Sequence, residues 1–180
     1  LLSVCPYTKA GAINYIYFCM GCLQANQQTF INKKTFFSGM KIVTIVGLGY
    51  VGLPLACLCA EKGYDVHGFD LDCHKVDSIN KSESPIEDEY IESKLKSLKN
   101  RIHATKNPQE CIPNSDVVIV CVPTPVDRNN IPDLTAVMNA TSTISKFIKK
   151  GALLVIESTI YPGTIEEVVL PILKKQKFDA

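Results

Sequence analysis

From residue 41 onward the chain alternates between two kinds of block. One kind is short and almost wholly apolar, at 41–46, 64–69, 116–122 and 152–157, with a briefer run at 101–105. Such runs predict strands. The 116–122 run is so uniformly apolar that both of its faces must be covered. The other kind is longer, with apolar residues at helical spacing and polar residues between, at about 50–62, 71–80, 84–99, 133–149 and 165–175. A single helical turn opens at Asn107-Pro108. Strand and helix taking turns predict an α/β domain with a parallel sheet wound on both faces.

The junction of the first strand and first helix carries the most chemistry. It reads Gly47-Leu48-Gly49-Tyr50-Val51-Gly52, and the next strand ends in Asp70. Strand, glycine turn, helix, strand and acid, in that order, form the dinucleotide-binding fingerprint of a Rossmann-type fold. Gly47 allows the tight turn, Gly49 lets backbone approach a pyrophosphate, and Gly52 lets the helix pack closely on the strand. Free N–H groups at the helix start face the phosphates. A carboxylate at the position of Asp70 accepts hydrogen bonds from a ribose 2′-hydroxyl and repels a 2′-phosphate, so the predicted cofactor is NAD rather than NADP. Asp72 suits the N-cap of the next helix. Lys75, one turn into that helix, is placed to reach the adenosine side.

Other local signals mark turns and caps. Ser84-Pro85-Ile86-Glu87 reads as a helix start, and Thr164 with Glu167 reads as a capping box for the last helix. Pro123-Thr124-Pro125 forms a rigid loop at the carboxyl end of a strand, where ligands of such sheets bind, so Thr124 is a candidate phosphate or ribose contact. Glu157-Ser158-Thr159 ends the fifth strand at the same edge.

Charge is nearly balanced, 19 Lys and Arg against 18 Asp and Glu, which gives no broad attraction to nucleic acid or to an anionic membrane. No apolar run reaches the length of a membrane span. Residues 1–39 precede a methionine, Met40, set directly before the first strand. The reading is that Met40 is the natural start and that 1–39 is an extension outside the fold, with a signal peptide as runner-up. The NAD-binding domain is then 40–180. Of the eight cysteines, Cys19 and Cys22 form one CxxC with no second pair at zinc spacing, so no metal site is predicted. The rest read as reduced core residues of a cytoplasmic protein, Cys121 included despite its place at a strand end. No catalytic residue is predicted.

Several motifs together resemble the nucleotide-sugar 6-dehydrogenases of the UDP-glucose/GDP-mannose dehydrogenase superfamily: GLGYVGLPLA (47–56), GFDLD (68–72), VCVPTPVD (120–127), PDLTAV (132–137) and ESTIYPGTIEEVVLP (157–171). The details are closest to the UDP-N-acetylglucosamine 6-dehydrogenase branch, with UDP-N-acetylmannosamine and UDP-glucose dehydrogenases as near relatives. The resemblance implies oxidation of a UDP-sugar's C6 alcohol to a carboxylate with two NAD, through an aldehyde held on a cysteine as a thiohemiacetal. It also implies NAD contacts at Gly47, Leu48, Gly49, Tyr50, Val51, Gly52, Asp70, Lys75, Pro123, Thr124, Ser158 and Thr159, and a homo-oligomer at full length. Val126 stands where UDP-glucose dehydrogenases usually carry a second Thr that organises water, which counts against strict UDP-glucose use. The family's next strand, connecting helix and sugar-binding domain have no counterpart here, and no cysteine matches the catalytic one. The expectation is therefore a sheet truncated before its last strand and a chain without activity of its own. The competing readings are a stand-alone NAD-binding sensor or scaffold module and another Rossmann dehydrogenase, such as a 6-phosphogluconate type.

Overall fold

The computed structural model describes residues 14–17, 41–129 and 131–177. Five parallel strands come from the predicted blocks: β2 (Ile42–Val46), β3 (Asp65–Phe69), β4 (Ile102–Thr105), β5 (Val117–Val120) and β6 (Leu153–Ile156). They lie in the spatial order β4-β3-β2-β5-β6. A further strand, β1 (Asn14–Tyr17), pairs in parallel with the outer edge of β6, from Asn14 opposite Leu153 to Tyr17 opposite Ile156. The expectation that 1–39 stands outside the fold is corrected at these four residues. An edge strand presents a row of unpaired backbone N–H and C=O groups, and any extended segment that reaches it gains a ladder. The Cys19–Cys22 spacing and Met40 lie outside the described residues.

Helices cover both faces, because strands apolar on both sides leave neither face fit for water. On one side, α1 (Gly52–Glu61), α2 (Cys73–Asn80) and α3 (Glu89–Ser97) close a core with Ile45, Leu53, Val66, Ile91 and Leu95. On the other, a short α4 (Pro108–Cys111), α5 (Thr135–Phe147) and the closing helix enclose Phe69, Ile112, Val118, Val137, Ile144 and Leu154. The closing helix begins with a π-helical turn at Ile165–Val169 and continues as α6 (Leu170–Lys177). Buried polar groups in these layers are matched: the Thr44 and Ser115 hydroxyls lie 2.6 Å apart, and Ser115 donates to the Cys111 carbonyl. The outer edge of β4 is blunted by Asn80, whose amide donates to the Ala104 carbonyl and whose oxygen accepts the Ala104 N–H, each at 2.9 Å.

Two predicted caps are corrected. Thr164 has helical dihedrals (φ −54°, ψ −35°), so it sits inside the first turn, and its hydroxyl donates to the Tyr161 carbonyl. Ser84 likewise braces a local turn by donating to Ile86 O, while Asp88 caps α3 by accepting from Tyr90 N and Ile91 N. Asp72 and Asn107 cap α2 and α4 as predicted, accepting from His74 N and Gln109 N.

Candidate NAD-binding cleft

Strand register sets the floor of the site. Val46 pairs with Phe69 and with Val120, and Val120 pairs with Ile156, so four strands end at one level. The next residue of each, Gly47, Asp70, Cys121 and Glu157, lines a single cleft of about 1100 Å³. A parallel sheet whose connections leave in opposite directions on either side of β2 opens such a crevice beyond its carboxyl edge.

The glycine turn forms one wall. Gly47 has φ +94°, and its N–H donates to the Phe69 carbonyl at 2.8 Å. A side chain at Gly52 would stand 1.8 Å from the Gly47 carbonyl oxygen, so only glycine lets α1 start this close to the strand. A Cβ at Gly49 would meet nothing within 4 Å, so its backbone borders open space. No side chain caps the start of α1, and no acid lies in its first turn. The amides there stay available to an anion, and the positive end of the helix favours one.

Asp70 ties the second strand to this turn. Its Oδ2 accepts the Leu48 N–H at 2.7 Å, and its Oδ1 accepts the Asp72 N–H at 3.0 Å. The Lys75 ammonium lies 3.6 Å from Oδ2. Each carboxylate oxygen can accept more than one hydrogen bond, so acceptor capacity remains for a ligand hydroxyl.

Gly47, Gly49, Tyr50, Val51, Asp70, Lys75, Pro123, Thr124, Ser158 and Thr159 all line this cleft. Leu48 and Gly52, also predicted as contacts, are not on its wall. The Leu48 side chain is fully buried, packs under Gly68, and its N–H is given to Asp70. Gly52 is the spacer just described. Ser158 is buried, and its hydroxyl donates to the Val122 carbonyl at 2.8 Å, binding the ends of β5 and β6 together. Val126 lies off the cleft wall, 60 % exposed, in a bridge to Pro132.

Two cleft groups carry shifted acidities. Burial, then the neighbouring Glu157 and Cys59, push the Cys121 thiol up to about 12. It is fully protonated at neutral pH, in keeping with a packing role. Burial raises the Glu157 carboxyl above its ordinary value. Sequence reasoning missed the wall contributed by α5, where Thr135, Ala136, Asn139, Ala140 and Thr143 face the cleft. Their i, i+4, i+8 spacing is a visible signal, but a polar stripe of that kind reads as a solvated helix face until the sheet places it.

The fold, the uncapped glycine turn and the strand-end acid define a dinucleotide-binding domain. Residues 40–180 match the NAD-binding domain of the UDP-glucose/GDP-mannose dehydrogenase family. The chain belongs to that family and is its NAD-binding domain. It is 40 % identical over 134 residues to a UDP-N-acetyl-D-glucosamine 6-dehydrogenase of Pseudomonas aeruginosa, covering 74 % of this chain and 31 % of that protein. It is 38 % identical over 133 residues to the protein CapL of Staphylococcus aureus, covering 74 % of this chain and 30 % of that protein. Its structure resembles GDP-mannose dehydrogenase from Pseudomonas aeruginosa, solved as a ternary complex, with a TM-score of 0.71 at 32 % identity over 74 % of this chain and 32 % of the other. The chain thus spans about a third of the length of the relatives it matches. No helix among the described residues is long and apolar enough to cross a membrane.

Proposed function

We propose that this chain acts as the NAD-binding part of a UDP-sugar 6-dehydrogenase that oxidises a C6 alcohol to the carboxylate, with UDP-N-acetylglucosamine as the substrate and UDP-N-acetylmannosamine or UDP-glucose as the alternatives. The observation that carries this reading is the single cleft that gathers the glycine turn, Asp70 and the β5 and β6 ends beside one another. NAD, when bound, supplies the hydride acceptor. The amides at the start of α1 hold its pyrophosphate. Asp70 accepts from the adenosine ribose, with Lys75 beside it. Thr124, Ser158 and Thr159 border the nicotinamide half. Their part is to bind and orient, since Cys121 is protonated and no thiolate faces the cleft. The five described cysteines are all free, which supports a reducing, cytoplasmic setting. A homo-oligomer at full length belongs to the same proposal.

Two measurements test it. Titration of the chain with NADH and NADPH, followed by nicotinamide fluorescence, is expected to show binding of NADH in preference; preference for NADPH overturns the cofactor assignment. NADH formation by a full-length form offered the three UDP-sugars in parallel tests the substrate, and a preference for UDP-glucose overturns it. The sensor or scaffold reading gains one observation, the β1 strand that covers the β6 edge. NAD binding by a full-length form with no turnover of any UDP-sugar would favour it.

A further inference from the structure

The cleft has one wall that the pyrophosphate and ribose contacts leave unused. Phe69 and Leu71 from the end of β3 line the same cleft as Asp70, together with Ala136, Asn139 and Ala140 of α5, and Phe69 and Ala140 belong to one packed cluster. Leu71 is 83 % exposed. Ala136 and Ala140 lie one helical turn apart and are too small to fill the space before them. Asn139 lies between them on the same face, exposed, and its side-chain amide makes no hydrogen bond to any described residue. The wall thus offers a flat slot with apolar sides and one free group that both donates and accepts.

A ribose held on Asp70 must send its base somewhere, and this slot adjoins Asp70. A purine has flat apolar faces and a polar edge, which the slot matches. The exposed Leu71 side chain is placed to cover one face of the base, and the two alanines leave room for the other. An asparagine amide pairs well with adenine, accepting from the 6-amino group and donating to an adjacent ring nitrogen. We propose that Asn139 reads the edge of the adenine ring and is a specificity-determining residue for the adenine half of NAD. This rests on the assignment of the cleft to NAD. The ribose acid selects the form of the sugar, whereas Asn139 selects the base.

The probe is the pair NAD and 1,N6-etheno-NAD, in which an etheno bridge removes the 6-amino hydrogens. Whichever edge of adenine faces α5, the hydrogen bond to the Asn139 oxygen is lost. Affinities are measured by calorimetry for the chain and for Asn139→Ala, an exposed change that leaves the core untouched. The unaltered chain is expected to bind NAD about tenfold more tightly than etheno-NAD, and Asn139→Ala to lose about tenfold for NAD and little for etheno-NAD. The ratio then falls close to one. If the unaltered chain binds NAD and Asn139→Ala keeps the same ratio, or keeps its full NAD affinity, this proposal is overturned and the cofactor assignment stands. If the unaltered chain binds neither dinucleotide, both are overturned.

Discussion

Replacing Asp70 by alanine separates two duties of one carboxylate. The side chain is 12 % exposed and accepts from the N–H groups of Leu48 and Asp72, with Lys75 at 3.6 Å. The Leu48 N–H sits in a part-buried turn and loses its acceptor outright. A hydrogen bond to a charged group contributes about 1.5–3 kcal/mol. The Asp72 bond is exposed, and the Lys75 pair is a third open to solvent, so together these add at most about 1 kcal/mol. The expected loss of stability is therefore about 2–4 kcal/mol, or roughly 5–15 °C in Tm for a domain of this size.

The second duty shows in binding. NAD loses a charge-assisted contact at its ribose, about 1.5–3 kcal/mol, which is roughly a 10- to 150-fold weaker Kd. NADP gains from the same change, because the repelling carboxylate is gone and Lys75 remains to face the 2′-phosphate. The preference for NAD should shrink from both sides. The assay is thermal unfolding by circular dichroism, paired with NADH and NADPH titrations well below Tm. Unchanged NADH affinity in a folded Asp70→Ala protein would refute the ribose role, and an unchanged Tm would refute the tie to the glycine turn.

Gly52→Ala puts a methyl 1.8 Å from the Gly47 carbonyl oxygen, so the turn must open; NADH binding should be lost, with a Tm fall of several degrees, and a variant that binds normally contradicts the packing described. At Asp116, burial raises the carboxyl, but hydrogen bonds from Lys149, Lys41 N and Ile42 N outweigh it and bring the group down to about 2. This depressed value stabilises the fold above the ordinary carboxylate range and is lost as pH falls towards 2, so Asp116→Asn should cost about 2 kcal/mol at pH 7 and little at pH 2, read by urea unfolding at each pH. Deleting residues 1–40 uncovers the β6 edge, so Tm should fall and light scattering rise on concentration; no change in either shows that β1 adds nothing to the fold. The 180-residue chain should carry no UDP-N-acetylglucosamine through the second oxidation to the carboxylate, because its cleft thiol, Cys121, is pushed up to about 12 and offers no thiolate to hold the aldehyde; carboxylate formation abolished by Cys121→Ser would overturn that assignment.

What can be read from the chain, and what cannot, divides by the distance over which each interaction is settled. Gly47, Gly49 and Gly52 are legible because the turn they permit is made within six residues, and steric exclusion of a Cβ leaves a mark in the alphabet itself. Asp70 is legible because a strand of fixed length must separate it from that turn. The caps show the limit of such local reading. Ser84 and Thr164 both stand before an acid at capping-box spacing, yet the Thr164 hydroxyl donates to the Tyr161 carbonyl, and Ser84 bonds Ile86 while its own N–H goes to Glu92 rather than Glu87. The pattern names two residues able to bond, while the dihedral at the first of them decides which bond forms. The α5 wall lies beyond local reading altogether. Asn139 is 69 residues from Asp70 in sequence and lines the same cleft only because the sheet register sets the ends of β3 and β5 at one level. Nothing within a turn or two of Asn139 distinguishes it from a solvated helix residue. Asp116 is hidden in the same way: its bonds to Lys41 N and Ile42 N join positions 75 and 74 residues apart. Residues that shape backbone thus announce themselves by type and spacing. Residues that act across the sheet do so only once the strand order is known, and the base-reading wall of the cleft belongs to that second group.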